Sequence, residues 1–282
     1  MTSTEAQKNP VIIYHGDCPD GFGAAWAAWK KFGAAAQYIP VQHRTVPPAE
    51  IEGRDVFTLD YCYPWPVVEK ELLPKVKTLT VVDHHRSSVE AVSHLPGSVL
   101  DHEHSGAVLS WKQFHPGVPT PKLLEYVEDT DLWKFSLPHS KEISHVLNLK
   151  EFGFEDWSSM AAEIEDPERF KTLVEHGSIL AAKVEKSVDK VVKTAEEVVF
   201  EGYPCLMANA PFYVSEIGAA LVKKLPPIGI IWSRRGNRVV VSLRGDGSVD
   251  LNELASRYGG GGHHNAAAFS WDEKDFLHFR KP

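Results

Sequence analysis

Cysteine is scarce in this sequence. Three occur in 282 residues, Cys18, Cys62 and Cys205, and none falls at the short spacing of a zinc-binding pair. A disulfide framework is therefore not expected, which fits a reducing cytoplasm. Long apolar runs are missing as well. No stretch approaches the roughly 18 residues needed to span a bilayer, and residues 1–10 hold no apolar segment of the kind a secretory signal uses. The expectation is a cytoplasmic protein with no membrane partner. Positive charge is also in short supply: 30 Lys and Arg stand against 38 Asp and Glu, a net charge of −8. Long nucleic acid is held by neutralising phosphates with Lys and Arg, so a chain this acidic is expected to be a poor general binder of long nucleic acid. A small anionic substrate stays open, provided that cations supply the positive charge.

What is present is a series of short β-branched runs that end in polar groups. Residues 10–14 read as a strand running into His15-Gly16-Asp17-Cys18-Pro19-Asp20-Gly21, with a helix expected from Ala24. Residues 38–41 and 55–59 read as strands, the latter ending at Asp60. Residues 78–82 read as a strand ending in Asp83-His84-His85. Helices are expected over 66–73 and 105–114, with Ser105 as N-cap, and a helical stretch at 124–127 leads into Glu128-Asp129-Thr130-Asp131. Such alternation predicts a mainly parallel α/β sheet, whose ligands sit beyond the carboxyl ends of the strands. On this reading His15, Asp17, Asp20, Asp60, Asp83, His84, His85 and Asp129 gather there. So many carboxylates beside imidazoles repel one another without cations. Their mixture of oxygen and nitrogen donors suits Mn²⁺, Fe²⁺, Co²⁺ or Zn²⁺ better than Ca²⁺, with Mg²⁺ left open. Two such ions about 3.5–4 Å apart form a clamp for phosphoryl hydrolysis.

Residues 131–175 are aromatic and loop-rich, with helices expected at 140–149 and 154–164. Lid, core extension and dimer contact are all open for this stretch, and a homodimer is among the alternatives. Leu180, Val184, Val188, Val191 and Ala195 follow helical spacing. The expected architecture is an α/β, parallel-sheet domain over 1–176, a connecting helix over 177–197, and a smaller α+β domain over 198–282. The last holds a helix at 215–224, a hairpin around Arg234-Arg235-Gly236-Asn237 and a helix capped by Asp250. Four glycines, 259–262, then precede His263 and His264. Consecutive glycine N–H groups can form an anion nest, and the small-residue segment that follows is expected to start a helix. Arg244, His263 and His264 are candidates to hold a phosphate, Arg244 by a bidentate contact.

The ordered set His15-x-Asp17…Asp20-Gly21, Asp60, Asp83-His84-His85 and Asp129 in Asp-Thr-Asp resembles the motifs of the DHH phosphoesterase superfamily. That group includes the RecJ exonucleases, nano-RNase-type and cyclic-dinucleotide phosphodiesterases, and manganese-dependent pyrophosphatases. Val241-Ser242-Leu243-Arg244 and Gly260-Gly261-Gly262-His263-x-x-Ala266-Ala267 resemble the DHH-associated C-terminal domain. The resemblance implies two divalent metal ions, Mn²⁺ first, with Mg²⁺ or Co²⁺ as alternatives. His15 and Asp17 would bind the first ion, Asp20, His84 and Asp129 the second, and Asp60 would bridge them. His85 would face the scissile phosphate, and Asp83 would orient a histidine. The Asp-Thr match points to Asp129, with Asp131 as a salt-bridging neighbour. Arg244, Gly261, Gly262 and His263 would bind substrate, and His264 is open between ligand contact and solvent. The chain departs from the family pattern in its first motif: Cys18-Pro19 separates two aspartates that are usually one residue apart. The implied activity is hydrolysis of short oligonucleotides, or of cyclic or linear dinucleotides, by a two-metal-activated hydroxide. Pyrophosphate or polyphosphate hydrolysis and a catalytically silent nucleotide-binding module are the alternatives.

Overall fold

A computed structural model describes residues 9–42 and 45–274, and the chain divides into two units, Met1–Ala181 and Ala182–Pro282. The first is built on a five-stranded parallel sheet. Its strands are β1 (Val11–His15), β2 (Gln37–Val41), β3 (Asp55–Leu59), β4 (Thr78–Asp83) and β5 (Val99–Leu100), in the spatial order β2-β1-β3-β4-β5. Around it run α1 (Pro19–Phe32), α2 (Trp65–Val67), α3 (Val89–Ser93), α4 (Gly106–Phe114), α5 (Lys122–Asp131), α6 (Ser140–Leu147) and α7 (Phe154–Glu165). The strands are almost continuously apolar because both faces are covered. Ile12, Leu59 and Val82 bury themselves with residues of α1 and α4, while Ile13, Val56 and Val81 pack with Ile51, Val68 and Leu72. The strand order reverses direction between β1 and β3, a switch point at which the outgoing loops diverge and leave a crevice.

Boundaries differ from expectation for local reasons. Helix α1 starts at Pro19, not Ala24, because proline fits the first helical position, where its missing N–H costs nothing. The 66–73 helix is reduced to α2 and a π-helical turn over Val68–Leu72. The short α3 and β5 were not anticipated. Residues 131–175 extend the core: Ile143, Trp157 and Met160 are fully buried, and Trp157 meets Phe22 of α1 edge-on at 5.0 Å between ring centroids. Truncating an aromatic at such a site costs roughly 3–5 kcal/mol. The connecting helix α8 (Pro167–Val192) begins at Pro167 rather than at 177. Asp166 Oδ1 accepts from the N–H groups of Glu168 and Arg169, each at 3.0 Å, which caps the first turn.

The second unit is a six-stranded mixed sheet in the order β10-β11-β9-β8-β7-β6. The strands are β6 (Glu196–Phe200), β7 (Tyr203–Asn209), β8 (Ile228–Arg235), β9 (Arg238–Gly245), β10 (Gly261–His263) and β11 (Ala266–Asp272), with helices α9 (Val214–Lys224) and α10 (Leu251–Ser256). Only β7 and β8 are parallel, joined through α9, as a parallel pair requires a crossover. Leu243, Phe269 and Leu251 form one core; Leu206, Ile217, Leu221 and Ile231 form another with Val184 and Val188 of α8. The segment after the four glycines is a strand, β11, and not the expected helix. Its period is two: Ala267 and Phe269 are buried while Ala266, Ala268 and Ser270 are half-buried. The α/β parallel-sheet unit followed by a smaller α+β unit is the expected fold class. No helix among the described residues is long and apolar enough to cross a membrane.

Candidate metal centre

Three strands deliver polar groups to the carboxyl end of the parallel sheet: β1 delivers His15, β3 is followed by Asp60, and β4 ends in Asp83 and is followed by His84-His85. Asp60 has a φ of 52°. A non-glycine residue in this left-handed region is uncommon and costs energy unless its surroundings enforce it. Here the strained turn aims the carboxylate into the crevice, where Asp60 is 2% exposed. Its two oxygens face different partners. Oδ2 lies 3.4 Å from His15 Nδ1. Oδ1 lies 3.2 Å from His84 Nε2 and 3.7 Å from His85 Nδ1, yet it is buried and accepts no aligned hydrogen bond.

Asp20, in the first turn of α1, is buried too. Its carboxylate accepts from the N–H groups of Gly106 at 2.7 Å and Ala107 at 2.9 Å, so the amino end of α4 holds it. Gly106 is required by close approach: a Cβ there would sit 2.6 Å from Asp60 Cβ and 3.0 Å from Asp20 Oδ2. His84 Nε2 reaches Asp20 Oδ2 at 3.6 Å and Asp131 Oδ2 at 3.7 Å.

Asp131, not Asp129, is therefore the carboxylate of α5 that enters the cluster, a correction to the Asp-Thr match. Residues three apart share a helix face. Glu128 and Asp131 point together, Glu128 accepting from Ser105 N–H at 2.9 Å. Asp129 is turned to the following loop, where it accepts from Ser136 N–H at 2.9 Å, Ser136 O–H at 2.6 Å and Leu137 N–H at 3.2 Å. Asp17 is the second correction. It is exposed, has a φ of 56°, and accepts from Gln42 Nε2 at 3.0 Å. Cys18 stands in the cluster instead: donor atoms of His15, Cys18 and Asp60 lie within 4.8 Å of one another, as do those of Asp20, His84 and Asp131. Asp83 is fully buried and saturated. It accepts from His84 N–H at 2.7 Å, His85 N–H at 3.2 Å and the Ser88 hydroxyl, and contacts His85 Nδ1 at 2.7 Å. Its partner ring is thus that of His85.

The electrostatics are those of crowded charge. Burial, then the Asp60 and Asp131 carboxylates, raise Asp20 well above the usual carboxylate range. Burial and Asp60 push Asp131 up to about 6 against the pull of His84. Burial would raise Asp60 also, but the neighbouring histidines hold it below the usual range. Burial works against charging His84, yet Asp60 and Asp20 push it up to about 10. Likewise the Asp83 contact outweighs burial and lifts His85 to about 9. Burial and the surrounding carboxylates push the Cys18 thiol well up.

In the second unit, register places His263 opposite Ala266, and Ala266 opposite Arg244. Arg244 donates to Ser215 Oγ and to Leu243 O, both at 2.9 Å; burial lowers its pKa. The expected nest of glycine N–H groups is altered by strand pairing. Gly261 and Gly262 are paired with Ala268 and Ala267 in the β10–β11 hairpin, and Gly262 N–H donates to Asn252 Oδ1 at 3.0 Å. Gly262 has a φ of 149°, and a Cβ there would sit 2.4 Å from Ala266 O. His264 is tied to the cap of α10, with Nδ1 3.2 Å from Asp250 Oδ2 and Nε2 3.0 Å from Gly247 O.

Residues 214–281 match the family model described as DHHA1 domain. Over 297 aligned residues, covering 96% of this chain and 70% of the relative, the chain is 27% identical to uncharacterized protein R106 of Acanthamoeba polyphaga mimivirus. Exonuclease RecJ bound to manganese has a similar structure, with a TM-score of 0.55 at 16% identity over 97% of this chain and 89% of that one. So has the pGpG-specific phosphodiesterase PggH from Vibrio cholerae, with a TM-score of 0.51 at 14% identity over 96% of each chain. The chain shares the fold of these proteins, and its residues 214–281 match a DHHA1 domain.

Divalent ions fit the DHH-fold unit on its own chemistry. Asp60 Oδ1 is a buried carboxylate oxygen without an aligned donor, and such an atom calls for a counter-charge. Asp20, Asp60 and Asp131 repel one another around it, and cations would relieve that repulsion. Sequence reasoning missed Gly106 and the Ser88 hydroxyl on Asp83. Gly106 had one legible signal, its place directly after the N-cap Ser105 of a helix.

Proposed function

We propose that this chain is a metal-dependent phosphodiesterase acting on short oligonucleotides, or on cyclic or linear dinucleotides. The observation that carries the reading is Asp60, a buried carboxylate whose two oxygens face different sets of donors, His15 on one side and His84 on the other. Such a carboxylate would hold two divalent ions, with His15 contributing to one and Asp20, His84 and Asp131 to the other. When bound, the pair of ions supplies a nucleophile at neutral pH and neutralises charge on the phosphate oxygens.

The protein's own groups then have separate tasks. Asp60, strained and buried, fixes the spacing. The amino end of α4 fixes Asp20. Asp83 locks the His85 ring through Nδ1, so Nε2 is the atom that would donate a proton to a phosphate oxygen or leaving group. In the DHHA1 domain, Arg244 and His263 would hold the substrate, with Arg244 Nη2 steadied by Ser215. The similar folds of the pGpG-specific phosphodiesterase PggH and of exonuclease RecJ favour nucleotide phosphodiesters as the substrate class. The net charge of −8 disfavours long nucleic acid.

A substrate panel in Mn²⁺ tests the proposal: cyclic and linear dinucleotides, oligonucleotides of graded length, pyrophosphate and polyphosphate, with products identified. Mononucleotide release from dinucleotides is expected. Turnover of polyphosphate or pyrophosphate alone, or tight dinucleotide binding without turnover in any divalent metal, would overturn it. Asp60→Ala should abolish hydrolysis while leaving the circular dichroism spectrum unchanged.

A further inference from the structure

We infer that Cys18 is a metal ligand through Sγ, filling at the His15 end of the centre the place that family resemblance gives to an aspartate. The inference rests on the metal-centre reading above. Four observations support it. The donor atoms of His15, Cys18 and Asp60 converge within 4.8 Å. Asp17 does not join them, because its turn faces it outward onto Gln42 Nε2 at 3.0 Å. Cys18 is held in a defined backbone position: it is the N-cap of α1, Pro19 follows at the first helical position, and Cys18 O accepts from Phe22 N–H at 2.9 Å. Finally, the neighbouring Asp60 side chain is 1% exposed and turns its Oδ2 to this corner, 3.4 Å from His15 Nδ1. The first motif, one residue longer between its aspartates than the family spacing, thus places a thiol at the corner where an aspartate is expected.

The exchange has a chemical consequence. A nitrogen, sulfur and oxygen donor set favours Zn²⁺, Fe²⁺ or Co²⁺ and disfavours Mg²⁺. The thiolate is the form that binds, so metal entry transfers the Cys18 thiol proton to solvent.

The test is X-ray absorption at the zinc edge on the full chain loaded with Zn²⁺, with bound metal counted in the same samples. A sulfur scatterer at about 2.3 Å is expected in the wild type, retained in Cys62→Ser and lost in Cys18→Ser. Cys18→Ser should also weaken binding at one of the two sites by at least about tenfold. Cys18→Asp provides the second variant should the serine form fail to fold: it should bind two ions with nitrogen and oxygen neighbours only, and its preference should move toward Mn²⁺ and Mg²⁺. Metal bound by the wild type with nitrogen and oxygen neighbours alone, or sulfur persisting in Cys18→Ser, overturns the Cys18 assignment and leaves the metal centre standing. A wild type that binds no divalent ion overturns the metal-centre reading itself.

Discussion

At the carboxyl end of the parallel sheet, Asp20, Asp60 and Asp131 crowd around one imidazole, with oxygens 3.2 to 3.7 Å from His84 Nε2. At the β10–β11 hairpin the polar groups are consumed by their own fold: Gly262 N–H by Asn252, His264 by Asp250 and Gly247, Arg244 in part by Ser215. Both regions are rich in the residues that mark sites in a sequence. Of the two, the first holds a buried carboxylate oxygen with no aligned donor, Asp60 Oδ1. Surplus charge that a fold holds in place is the physical trace of an ion, while a satisfied histidine beside glycines is equally consistent with scaffolding.

The sharpest way to break that comparison is to exchange the two aspartates of α5. Asp131→Asn removes a converging carboxylate, and kcat/KM in Mn²⁺ should fall by about 10²–10³, the scale expected for losing one group that stabilises the transition state. Asp129→Ala removes the acceptor of three hydrogen bonds in the 134–137 turn. It should cost about 1–3 kcal/mol of stability in a thermal melt, with activity per folded molecule retained. The opposite pattern would return the ligand role to Asp129.

Gly106→Ala comes next. Its Cβ meets the backbone-fixed Asp60 Cβ at 2.6 Å, so overpacking should cost roughly 1–3 kcal/mol, and Mn²⁺ affinity measured by calorimetry should drop with it. Affinity unchanged in a stably folded Gly106→Ala would mean that the cluster tolerates displacement and is not a pre-shaped centre. In the hairpin, His264→Ala should lose only about 1 kcal/mol, the usual worth of a hydrogen bond, with KM for a dinucleotide unchanged. His263→Ala should raise KM and leave stability alone. Equal KM effects from the two would place His264 in the substrate contact.

The parallel sheet was legible because its strands are buried on both faces and read as continuous apolar runs, and because each ends in a carboxylate or imidazole. The identity of the reacting cluster was less so. Choosing Asp131 over Asp129 needs the phase of α5, which the Glu128 contact with α4 sets and no motif records. Choosing Cys18 over Asp17 needs the turn at the end of β1, where a left-handed residue reverses the side-chain direction. The glycine run was read for its free N–H groups, but Ala266 to Ser270 alternate in burial and Ala266 to Asp272 pair with β9, so a small-residue segment became a strand through tertiary pairing rather than propensity.

The smallest expected effect concerns pH. Burial alone would raise Asp83, but the His85 contact and the Ser88 hydroxyl hold it below the usual carboxylate range. A group with a lowered folded-state pKa contributes stability above its unfolded value, about 3.9, and that contribution is lost as pH falls through the folded value. Asp83→Asn should therefore flatten the acid limb of stability against pH for the metal-free protein. An unchanged acid limb would show that Asp83 is not the anchor of His85.

The most direct measurement is anomalous diffraction at the manganese edge from crystals of the full chain soaked in Mn²⁺. Two peaks are expected, one within bonding distance of His15 and Asp60, the other within bonding distance of Asp20, His84 and Asp131, with Asp60 touching both. No peak at this cluster, or a single ion bound to Asp129, would contradict the two-ion centre.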